Sequence, residues 1–97
     1  MFVTIEMNVY TNAPAEPGIW CLRVQRDMIT VPRQGDWIEL AEGWASMRVK
    51  DVTFMVDGDV IVKLDAVKTN NPELLAEKHD LANQYQWKWI GKPPAII

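Results

Sequence analysis

Val49-Lys50-Asp51-Val52-Thr53-Phe54-Met55-Val56-Asp57-Gly58-Asp59-Val60-Ile61-Val62-Lys63-Leu64 is the stretch whose pattern decides the fold. Apolar and polar residues alternate on both sides of Asp57-Gly58, the period of strands with one face in a core and one in water. The alternation changes phase midway. Met47 and Val49 are odd-numbered, whereas Val52, Phe54 and Val56 are even-numbered. A straight strand cannot bury both sets, so a bulge or sharp bend is expected near Lys50-Asp51, the device that curls small sheets. A two-residue Asp57-Gly58 loop would set the apolar residues of the two strands on opposite faces. A three-residue loop pairs Val56 with Val60, Phe54 with Val62 and Val52 with Leu64, and is the expected hairpin, although it asks Asp59 to be left-handed.

Working outward, the same period returns on both sides. Val3, Ile5, Met7 and Val9 fall on one face of a first strand, with Thr4, Glu6, Asn8 and Tyr10 on the other. Residues 11–18 hold two prolines and Gly18, which is turn chemistry. Trp20, Leu22 and Val24 form the inward set of a second strand, with Cys21 and Arg23 opposite. A short third strand, Trp37–Leu40, turns Ile38 and Leu40 inward and leaves Trp37 beside Glu39 on the other face. Asn71-Pro72-Glu73 is a helix start, with an Asx cap, proline at the first helical position and an acid at the positive end of the dipole. This helix is expected over about 72–82, with a thin inward side of Leu74, Leu75, Leu81 and Ala82. A last strand carries the stripe Tyr85-Trp87-Trp89, which either fills the interior or stands exposed as an aromatic platform.

Strands at this spacing, with a single late helix, predict one mainly-β domain over residues 1–97. The expected architecture is a small, strongly bent antiparallel sheet of five to six strands closed or partly closed into a barrel. The run Val31-Pro32-Arg33-Gln34-Gly35-Asp36-Trp37-Ile38-Glu39-Leu40, followed by Val49, Val52, Phe54, Gly58, Val60, Val62 and Leu64, resembles the strand–turn pattern of small SH3-like barrels of bacteria and their phages. The resemblance covers about residues 31–64, is of fold-level specificity and carries over no functional residue. It implies an SH3-like barrel and a phage or mobile-element setting, in which small proteins inhibit or redirect a host factor by binding it. An OB-like barrel is the alternative.

Composition narrows the chemistry. The chain holds five tryptophans but one histidine and one cysteine, at a net charge of −3. Indoles bury well and recognise partners well, while the usual proton-transfer, nucleophilic and metal-ligating side chains are nearly missing. Cys21 and His79 have no spaced partners for a metal, and Asp57-Gly58-Asp59 lacks the remaining ligands of a calcium loop. No cofactor is expected, and no enzymatic activity. Acids outnumber bases seven to three across residues 36–65, which disfavours duplex nucleic acid. No apolar run approaches the roughly 20 residues of a membrane span, and the first six residues do not read as a signal peptide. The cytoplasm, of a host if the chain is phage-encoded, is the expected location.

Binding of a protein partner is therefore the leading expectation. Trp37, Trp44, Arg33, Arg26, Arg23, Trp87 and Trp89 are the interface candidates, because aromatics and arginines anchor most protein interfaces. A nucleotide-like ligand held by indole stacking and arginine is the first alternative, and single-stranded nucleic acid on the aromatic stripe is the second. Open strand edges or the apolar tail Pro93-Pro94-Ala95-Ile96-Ile97 would serve a homodimer.

Overall fold

The computed structural model describes residues 2–11, 18–68 and 72–91. The Asn71 cap, the turn over 12–17, the side chains of Leu74 and Leu75, and the tail 92–97 lie outside the described residues. Among those described, the chain forms seven strands and one helix: β1 (Phe2–Thr11), β2 (Gly18–Asp27), β3 (Trp37–Glu39), β4 (Ser46–Phe54), β5 (Val60–Leu64), β6 (Val67–Lys68), α1 (Pro72–Gln84) and β7 (Lys88–Ile90). The mainly-β class and the late helix ahead of the last strand agree with expectation.

The sheet runs β3-β4-β5-β1-β2-β7, with β6 also paired to β1. It is mixed, which corrects the all-antiparallel expectation: β1 pairs with β5 and β6 in parallel and with β2 antiparallel. Alternation in a strand specifies which face is buried but not the direction of its neighbours. The first strand inserts at the centre of the sheet, between β2 and β5. The sheet is also open, since β3 and β7 are its two ends and do not pair with one another.

The bulge lies where the phase change places it, between Val49 and Asp51. The hairpin beyond it differs in register. Phe54 pairs with Val60 and Val52 with Val62. Its loop is Val56-Asp57-Gly58, closed by Met55 N–H to Asp59 O at 2.7 Å and Gly58 N–H to Met55 O at 3.0 Å. The loop has the expected three residues but begins one residue earlier. Gly58, at φ +96°, takes the left-handed position that Asp59 would have held, which costs a glycine nothing. The same shift moves Val56 into the loop, where it is exposed; Phe54, paired with Val60, is likewise exposed rather than inward.

The core collects the inward set of each strand: Val3, Ile5, Met7 and Val9 of β1, Leu22 and Val24 of β2, Val49 of β4, and Val60, Val62 and Leu64 of β5. Leu81 of α1 closes it from the helix side. Trp20, expected to be enclosed, is half-buried opposite Val9 near the start of β2. Because β1 is central, even its outward Glu6 is largely buried and accepts both Nε (3.0 Å) and Nη2 (2.7 Å) of Arg23 on Oε1.

Candidate functional site: the open seam

An open sheet leaves a seam, and the interface candidates gather around it unevenly. Strand β7 covers only Cys21–Arg23 of β2, so the run from Val24 to Asp27 extends past it. Across from that run stands β3. Val49 N–H donates to Asp36 O at 2.8 Å and Leu40 N–H to Ala45 O at 3.4 Å. Backbone direction alternates along a strand, so Asp36, Ile38 and Leu40 face β4, while the N–H and C=O of Trp37 and Glu39 point to the open side. Between the two edges lies a cleft of about 560 Å³, lined by Arg26 and Met28 on one bank and Asp36, Trp37 and Glu39 on the other, with Trp87 at its floor. A second hollow of about 480 Å³ continues it past Arg26 and Glu39 toward Glu42 and Tyr85.

The floor and the far wall are rigidly tied. Trp87 is 1% exposed, and its indole N–H donates to Leu40 O at 3.0 Å. Gln86, at φ +67°, breaks the extended backbone before β7, so Trp87 swings under the end of β3 instead of joining the last strand. Arg26 Nη2 reaches Tyr85 O at 3.4 Å, and the Tyr85 ring meets Trp44 edge-on with centroids 5.5 Å apart. On the opposite bank, Asp36 accepts Arg33 N–H at 2.8 Å and Glu39 accepts Gly43 N–H at 3.1 Å. These two carboxylates shape the turns on either side of β3.

The seven candidates thus separate. Trp37, 69% exposed, and Arg26 line the cleft directly. Trp44 supports its Tyr85 end, and exposed Arg33 sits in the turn leading into β3. Trp87 contributes from inside, and its ring is not on the surface. Trp89 is half-buried against His79 of α1, centroids 5.2 Å apart. Arg23 faces the other side of the sheet, beside Glu6, where it borders a separate hollow of about 590 Å³ with Phe2, Lys88 and Ile90. Sequence reasoning did not select Met28, Asp36 or Glu39, and named Tyr85 only within the 85–89 stripe. Beyond that stripe, only the shared parity of Glu39 and Trp37 gave any signal, because loop positions facing a cleft have no periodicity.

Charge is divided in the same way. The seam carries Arg26 against Asp36, Glu39 and Glu42, whereas the hollow on the other face has Arg23 and Lys88 and no tryptophan. Cys21 lies on that other face. Burial pushes its thiol above the ordinary value, Glu6 pushes it further, and Arg23 and Lys63 pull against them. A raised thiol pKa is the reverse of nucleophile activation. His79 is on the core side with Trp89, whose partner on β2 is Leu22, so Cys21 and His79 face different sides of the sheet. Among the described residues, no three of His, Cys, Asp and Glu come together as metal ligands, and no helix is long and apolar enough to cross a membrane. No protein-family model, curated protein or solved structure matches this chain.

Proposed function

We propose that this protein is a non-enzymatic binding protein that uses the seam between β3 and the end of β2 to hold and occlude a segment of a larger protein. The observation that carries the reading is Trp37. A large indole is 69% exposed on the rim of a cleft whose floor is a buried Trp87 and whose edge presents backbone groups that no strand among the described residues pairs with. An exposed aromatic beside a preformed cleft is the usual anchor of a protein interface. The bent, open sheet with its helix before the last strand is read as an SH3-like barrel left open at this seam. The resemblance of residues 31–64 to phage and mobile-element modules extends the reading to an inhibitor or accessory protein of a host factor.

The charge division favours a protein over a nucleotide-like anion. Stacking and neutralisation would have to come from one place, yet the exposed indole sits among carboxylates and the cations of the other hollow lack an indole. Carboxylates facing a phosphate cost affinity through like-charge repulsion, and they weigh in the same way against single-stranded nucleic acid.

A photo-crosslinking residue at position 30, an exposed threonine in the lining of the same cleft, tests this in extract from the cell of origin. The expected result is one defined protein adduct from position 30, none from the control position 19 on the other face, and loss of that adduct when Trp37→Ala is added at an unchanged melting temperature. Equal adducts from both positions, or none from position 30, would overturn the reading.

A further inference from the structure

We infer that the seam takes its partner as an added β-strand on the outer edge of β3, and that the added segment is basic. This rests on the binding reading above and names the chemistry of the partner. Three observations carry it. Trp37 and Glu39 direct their N–H and C=O groups into the cleft, and among the described residues no strand pairs with them. An edge of this kind is a template for an extended chain. The cleft lies along that edge and not across it, since Asp36, Trp37, Ile38 and Glu39 all line it. Finally, among the described residues its lining sets one guanidinium, that of Arg26, against the carboxylates of Asp36, Glu39 and Glu42.

Charge also selects among occupants. In a second copy of this chain paired edge to edge, two edges that each carry Asp36 and Glu39 would be brought together, and like charges across a strand pair repel. The chain's net charge of −3 opposes such an encounter further. An incoming strand with lysine or arginine at alternate positions instead places its cations on one face, the one that Glu39 shares with Trp37, where they meet a carboxylate and an indole, while its other side chains turn to the face of Asp36 and Ile38. The three-residue length of β3 limits the addition to one short segment, which suits recognition and blocks propagation into a stack.

The test uses the full chain, labelled with nitrogen-15, and three synthetic peptides. One alternates lysine with valine and threonine, one replaces each lysine by glutamate, and one is the lysine peptide with alternate backbone amides methylated. The expected result is binding of the lysine peptide with slowed exchange of the Trp37 and Glu39 amides. The glutamate and methylated peptides should bind about tenfold more weakly or worse. Glu42→Lys, a change at an exposed turn, should weaken the lysine peptide and strengthen the glutamate one. Equal binding by the methylated or glutamate peptide, protection at Lys88–Ile90 instead of β3, or no binding would each overturn the inference. Persisting adducts from position 30 would then leave the binding reading standing, whereas their loss would remove both.

Discussion

The indole N–H of Trp87 donates to the carbonyl of Leu40 at 3.0 Å inside the core, tying the segment after the helix to the segment after β3. These two segments are on opposite ends of the strand order, so this one bond helps hold the open sheet in its curl. Trp87→Phe keeps most of the packing but leaves Leu40 O buried without its donor. It should cost about 1–3 kcal/mol, and Trp87→Ala about 3–5 kcal/mol, both read by guanidinium denaturation. A cost near zero for both would mean that the floor of the seam is not structural.

Gly58 holds the left-handed position of the β4–β5 loop at φ +96°. A Cβ there meets no atom within 4 Å, so any penalty of Gly58→Ala is conformational and not steric crowding. The expected loss is about 1–2 kcal/mol, seen as a lower thermal midpoint. The neighbouring Asp59→Gly should gain little, because Asp59 is not the left-handed residue.

Lys78 is buried on α1. Burial lowers its ammonium below the ordinary value of 10.5, with Glu77 opposing the shift. The native state therefore gives up this proton at lower pH than the unfolded chain does. Between the lowered native value and 10.5 the unfolded state binds more protons, so this group makes stability rise with pH across that window. Lys78→Met should raise stability at neutral pH by up to about 1 kcal/mol and remove the rise. Urea midpoints for both proteins across the alkaline range measure it, and parallel curves would refute it.

Cys21 behaves in the opposite sense. Its raised pKa keeps the native thiol protonated where an unfolded thiol begins to ionise. Reaction with a disulfide reagent near pH 8 should be about tenfold slower in the native protein than in denaturant. A native rate equal to or above the denatured one would show an activated thiol and reopen a catalytic role.

Much of the fold was legible from local pattern. Period-2 alternation located β1, β2, β4 and β5 and the inward faces of β1 and β5, and the phase change between Val49 and Val52 located the bulge, because a buried face permits one parity at a time. The hairpin register was missed by one loop position, since pattern alone does not weigh Gly58 against Asp59 for the left-handed residue. Of the site, the out-of-phase Trp37 was visible as an outward indole. The ambiguity of the 85–89 stripe was not resolvable, because the left-handed turn at Gln86 that sends Trp87 inward leaves no mark in the apolar period.

What the sequence by itself determined is a set of amphipathic strands, one late helix and a scarcity of reactive side chains, all consequences of residue type at fixed local spacing. The tertiary structure alone decided that β1 lies at the centre in mixed company, that the sheet stops short of closing, and that Trp37 shares the resulting gap with Asp36, Glu39 and Glu42. Those outcomes depend on which distant segments win the competition to pair and bury one another. That competition is a property of the whole chain, settled by contacts such as Trp87 to Leu40 between residues far apart in sequence.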